Sequence, residues 1–90
     1  MEDVKHVIKN TMVQLAADQS KQIGTINDND NIVEKLGFTS IEVATLISML
    51  DTTFNVDPFG TGEASVTEVG TVGQLTKVYE RCLKNKEKIE

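Results

Sequence analysis

Three stretches of this chain carry apolar residues at helical spacing, and nothing alternates strongly enough over several segments to build a sheet. That pattern confines the chain to helices packed on helices. In the first stretch, 2–18, Val4, Val7, Ile8, Met12 and Leu15 share one face, with Lys5, Lys9, Asn10 and Gln14 between them and no Gly or Pro. The second opens on a start signal: Thr39 at the cap and Glu42 three residues on can satisfy each other's free N–H groups. Val43, Leu46, Ile47, Leu50 and Phe54 then form a core stripe, which predicts a helix over 39–54. Ile41, Ala44, Thr45, Ser48, Asp51 and Thr52 are left facing outward or sideways. The third helix opens at Gly70-Thr71, with Thr71 as its cap, and carries its stripe on Leu75, Val78, Tyr79, Cys82 and Leu83.

The connections are unequal. A long loop, 19–39, carries Gly24 and the polar run Asn27-Asp28-Asn29-Asp30-Asn31. Ile23, Ile26, Ile32, Leu36 and Phe38 punctuate it, so it is expected to lie on the core, with a helical turn at 31–36. Asp57-Pro58-Phe59-Gly60-Thr61-Gly62 breaks the chain after the second helix, and its Gly60-Thr61-Gly62 stretch reads as a flexible insertion. A short extra helix is expected at 65–69, and 84–90 as a frayed, mixed-charge tail. The sum is an all-α bundle of three to four helices, one domain over 1–90, with a long loop between the first two helices.

Composition narrows the function. Ninety residues make a single domain with a thin core, which favours a binding or carrier module over a free-standing enzyme. Fourteen acidic residues against nine basic, a net charge of −5, disfavour nucleic acid and suit a protein that meets basic patches on its partners. Cys82 is the only cysteine, so no internal disulfide forms, and its apolar helix position reads as core. His6, the only histidine, lies in the opening charged stretch, so no Ser-His-Asp or Cys-His catalytic set can be assembled. No cluster has zinc spacing, and the Asn27 run fails as a calcium loop because its sixth and twelfth places hold Ile32 and Phe38. Met12 and Met49 read as gap-filling or surface residues rather than ligands. No catalytic or metal site is expected. With no apolar run of transmembrane length and no signal-peptide core, the expectation is no membrane insertion and a cytoplasmic location.

Leu36-Gly37-Phe38-Thr39-Ser40-Ile41-Glu42 is the stretch that bears on chemistry. It places a serine in the first turn of a helix, just after a glycine bend. The first N–H groups of a helix lack intrahelical partners and the macrodipole is positive there, so a phosphate esterified to Ser40 would be favoured. The hydroxyl needs no activation of its own, because a modifying enzyme can supply the base. Serine at a helix start also serves simply as a cap. The wider pattern, Leu36-Gly37-x-x-Ser40-Ile41-Glu42-Val43 followed by Leu46, Leu50 and Phe54, resembles the acyl carrier protein family. There a Leu-Gly-x-Asp-Ser-Leu segment opens the second helix and an aromatic residue closes it. Val69-Gly70-Thr71-Val72-Gly73-Gln74-Leu75 is similar to the family's entry into its last helix.

The resemblance implies that Ser40 matches the serine to which a phosphopantetheinyl transferase attaches phosphopantetheine from coenzyme A. The terminal thiol of that arm carries acyl groups as thioesters, and the protein has no turnover of its own. Partners would be that transferase and acyl-loading, condensing and acyl-modifying enzymes. They would dock on a monomer at Thr39, Ile41, Glu42, Ala44, Thr45, Ser48 and Asp51. Two departures stand out. Thr39 replaces the usual Asp, keeping the cap without its charge, which bears on which transferase accepts the chain. The family's acidic partner face is also thinned: Thr45, Asp51 and Thr52 occupy positions that often carry acids, and only Glu42 and Asp51 keep charge on this helix. Docking should therefore lean on Ile41, Ala44 and apolar surface, as suits a specialised polyketide or modified fatty-acid pathway. Two other readings share the fold. One is a peptidyl or aminoacyl carrier, against which Phe38-Thr39 argues. The other is a helical interaction module without the prosthetic group.

Overall fold

A computed structural model describes residues 3–19, 23–62, 64–65 and 69–89, the last four as backbone. Three helices make the frame: α1 (Val4–Asp18), α2 (Ser40–Phe54) and α3 (Val72–Ile89). Among the described residues there is no strand, only one antiparallel bridge between Asn31 and Thr71. α1 packs against both other helices. The all-α architecture matches the apolar periodicity. Of the short helix expected at 65–69, residues 66–68 lie outside the described ones. The segment read as a frayed tail has helical backbone as far as Ile89.

The stripes read from the sequence form the core. Ile8, Met12 and Leu15 of α1, Leu46 and Leu50 of α2, and Val72, Leu75 and Tyr79 of α3 are buried together. Ile26, Ile32 and Phe38 join them from the long loop, with Ile23 and Leu36 half-buried at its edge. Val78 and Cys82 are also buried, and the Cys82 thiol is a core group. Met12 is fully enclosed, and Met49 packs on the edge of the core.

The long loop is held by backbone hydrogen bonds to the start of α3. The first four N–H groups of a helix need outside acceptors, and here all four have them. Val72 and Gly73 donate to the Asp30 and Asp28 carbonyls at 3.1 and 2.8 Å. Thr71 donates to the Gln74 side chain at 3.0 Å, and Gln74 donates back to Thr71 Oγ1 at 3.2 Å. Glycine at position 73 eases the approach, since a Cβ there would lie 3.1 Å from the Asp28 carbonyl oxygen, a tight contact. A second tie comes from α1, where Lys5 Nζ meets Asp28 Oδ2 at 2.7 Å and Lys9 Nζ lies 3.6 Å from Oδ1. That hydrogen bond holds the Asp28 carboxyl below its ordinary value and the Lys5 ammonium above its own.

Nearer α2, residues 31–36 form the expected turn. Asn31 caps it, its Oδ1 accepting from Val33 and Glu34 at 3.0 and 2.8 Å. Gly37 then turns the chain with φ +78°, a left-handed conformation that favours glycine. Beyond α2, the segment read as a flexible insertion is a hydrogen-bonded turn. Asp57 Oδ1 accepts from the Gly60 N–H at 3.0 Å, and Pro58 is fully buried.

Candidate functional site

Gly37 and Phe38 deliver the chain to α2 at a fixed angle, with Phe38 anchored in the core and Thr39 outside it. Thr39 is the N-cap, and the reciprocal box read from the sequence is present. Glu42 N donates to Thr39 Oγ1 at 3.2 Å, and Thr39 N donates to Glu42 Oε1 at 2.9 Å. Ser40 is the first residue of α2 and is exposed. Its hydroxyl has no hydrogen-bond partner among the described residues, and neither do the N–H groups of Ser40 and Ile41.

An exposed, unencumbered hydroxyl beside two free N–H donors, at the positive end of a helix, fits a phosphate ester. The Glu42 carboxylate shares this end of the helix and opposes an anion there. Threonine at position 39 caps without adding a second negative charge. The chain's single histidine lies away from this site. His6 is exposed on α1, 3.0 Å from the Asn10 amide. It lies nine residues before Leu15, which borders the start of α2, roughly 14 Å along the axis at 1.5 Å per residue. Among the described residues, no group of three or more His, Cys, Asp or Glu is placed to hold a metal ion.

Of the residues named as docking positions, Thr39, Ile41, Ala44, Thr45 and Ser48 are exposed. Ile41 is 79 % exposed, the most of any large apolar side chain described. The two charged positions turn away from solvent. Glu42 is buried at 8 % exposure within the capping box. Asp51 is half-buried and accepts from the Tyr79 hydroxyl of α3 at 2.7 Å. Burial pushes the Asp51 carboxyl up, the Tyr79 hydrogen bond pulls it back, and Asp57 adds a further upward push. Burial, and then the hydrogen bond to Asp51, hold the Tyr79 phenol far above its ordinary value. Thr45 and Thr52 donate their hydroxyls to the Ile41 and Ser48 carbonyls, at 3.0 and 3.1 Å. Apart from the half-buried Asp51, the exposed face of α2 therefore carries no charged side chain, and its two threonines have their hydroxyl protons already used.

The Tyr79 contact is the feature that sequence reasoning missed. Its hydroxyl also donates to the Ile47 carbonyl at 3.3 Å, and the Phe54 and Phe59 rings pack on it at 5.6 and 6.4 Å between centroids. The one signal was a polar tip on an otherwise apolar stripe.

α2 thus opens on an exposed serine, behind a long loop whose apolar residues join the core. The chain is similar to the solution structure of MacpD, an acyl carrier protein from Pseudomonas fluorescens involved in mupirocin biosynthesis. The TM-score is 0.74 at 26 % identity, over 84 % of this chain and 67 % of that one. The fold of this chain is that of the acyl carrier proteins. No protein-family model matches it, and no curated protein sequence does. Among the described residues, no helix is long and apolar enough to cross a membrane.

Proposed function

We propose that this chain is an acyl carrier that holds acyl groups as thioesters on a phosphopantetheine arm attached to Ser40. The observation that carries the reading is the placement of Ser40: exposed, unpartnered and first in α2, in a fold similar to an acyl carrier protein. In loading, Ser40 supplies the attacking oxygen. Its proton passes to a base in the transferase, and the nucleoside bisphosphate half of coenzyme A leaves. The arm, once attached, supplies a thiol for thioester exchange. This chain supplies the tether, the helix end that accommodates the phosphate, and the docking face. The role is carriage rather than catalysis, in the cytoplasm and as a monomer.

Acyl-loading, condensing and acyl-modifying enzymes, and the transferase, would dock around Thr39, Ile41, Ala44, Thr45 and Ser48. Glu42 and Asp51 serve this face from behind, one as the cap and the other as the tie to α3. A sparsely charged face suits a dedicated partner in a polyketide or modified fatty-acid pathway, and the likeness to a carrier of mupirocin biosynthesis supports the polyketide side. The test is chemical. Incubated with a transferase and an acyl-coenzyme A, the protein should carry an acyl label that neutral hydroxylamine releases, since it cleaves thioesters and spares phosphoesters. Ser40→Ala should carry none. A label that survives hydroxylamine, or one that appears on Ser40→Ala, would overturn the proposal.

A further inference from the structure

The start of α2 borders a hollow to which the carrier reading gives no task. It is an open depression of about 370 Å³ between the end of α1 and the start of α2, walled by Leu15, Gln19, Thr39, Ile41, Glu42 and Thr45. Small-molecule sites occupy roughly 300–1,000 Å³, so the space is of ligand size. Thr39 and Ile41, the residues on either side of Ser40, both stand in its wall. Whatever is esterified to Ser40 is thus tethered at the rim. Its effective concentration over the hollow needs no diffusional encounter.

The lining suits one kind of occupant. Leu15 gives an apolar floor, and Ile41, 79 % exposed, gives an apolar wall whose covering would remove hydrocarbon from water. The Thr39, Glu42 and Thr45 polar groups bordering it already hold hydrogen bonds within α2 and its cap. Gln19 is exposed at the end of α1 and offers a carboxamide that can both donate and accept. A pantetheine arm has matching parts: a geminal dimethyl group near its phosphate, followed by two amides.

On the side toward α3, the later part of α2 is tied down. Tyr79 is fully buried there, with its hydroxyl on Asp51 and Ile47 and two phenyl rings against it. Entry between α2 and α3 at the level of Ile47 and Asp51 would have to break that network. Resting on the carrier reading, we infer that the arm on Ser40 lies back into the hollow between α1 and α2. Its methyl groups meet Ile41 and Leu15, and an amide meets Gln19.

The experiment compares the unloaded and loaded protein by NMR, with intact mass confirming complete loading and the arm carrying isotope label. The expected result is amide shifts at Gln19, Ile41 and Thr45, and nuclear Overhauser contacts from the geminal methyls to Leu15 and Ile41. Gln19→Trp fills the hollow from an exposed position at the end of α1, outside the docking face, and should erase the methyl contacts while gaining the same mass on loading. A loaded arm without contacts, its methyl lines as narrow as those of free pantetheine, overturns the inference. So do contacts to Val56, Phe59 or Tyr79. Failure to load overturns the carrier reading and this inference with it, whereas loading without contacts overturns only the inference.

Discussion

Tyr79→Phe isolates the tie between α2 and α3. The ring is fully buried between Phe54 and Phe59, so deleting one oxygen leaves the packing in place. What goes is a hydrogen bond of 2.7 Å to the Asp51 carboxylate and a longer one of 3.3 Å to the Ile47 carbonyl. Hydrogen bonds to charged groups contribute about 1.5–3 kcal/mol, and Asp51, only half-buried, can recruit water in compensation. The low end applies, about 1.5 kcal/mol, or a fall in Tm of about 6–12 °C for a domain of this size. The sign of the pH dependence follows from Asp51. Its pKa is raised by burial, so its ionisation costs stability as pH rises through the carboxylate range, and the Tyr79 hydrogen bond opposes that cost. Removing the hydroxyl raises the carboxyl further. The loss is therefore greatest at neutral pH and smaller at an acid pH that protonates Asp51, whose raised carboxyl takes up its proton above the ordinary carboxylate value. Urea denaturation followed by far-UV circular dichroism at both pH values measures it. A loss within about 0.5 kcal/mol at neutral pH, as for an inert surface change, would refute the reasoning. So would a loss that grows on acidification.

Other changes probe the remaining links. Thr39→Ala removes one half of the capping box and should cost about 1 kcal/mol by denaturation, whereas Thr39→Asp should keep the cap. Gly37→Ala puts a side chain at φ +78° in open space, so its cost, about 1 kcal/mol or more, should be conformational alone. Ile41→Ala should leave stability unchanged and weaken binding of a cognate enzyme about five- to tenfold by titration calorimetry. Because the exposed face of α2 carries no charge beyond the half-buried Asp51, which is tied to Tyr79, that binding should respond weakly to added salt; a steep salt dependence would contradict this account.

What was legible in the sequence is what periodicity and capping encode. The Thr39–Glu42 pair and the stripe from Val43 to Phe54 located α2 to within a residue, because both are local signals. The same box implied that Glu42 reaches back to the Thr39 N–H, yet its burial to 8 % exposure is a property of the folded packing that no local pattern encodes. The bond between Asp51 and Tyr79 joins residues 28 apart on two helices, and no pattern along either helix specifies it. The anchoring of the loop by the Asp28 and Asp30 carbonyls was equally silent, being backbone to backbone; the glycine at 73 was its only trace. At the other end, the apolar stripe of α3 stops at Leu83, but Lys and Glu are good helix formers and the backbone stays helical to Ile89.

The central claim is that Ser40 carries the arm. Intact mass before and after incubation with coenzyme A and a broad-specificity phosphopantetheinyl transferase tests it most directly. The account predicts a gain of one phosphopantetheine that Ser40→Ala does not show, with Ser40→Ala as stable as the parent to within about 0.5 kcal/mol. No gain with several transferases, or the same gain in Ser40→Ala, would contradict it.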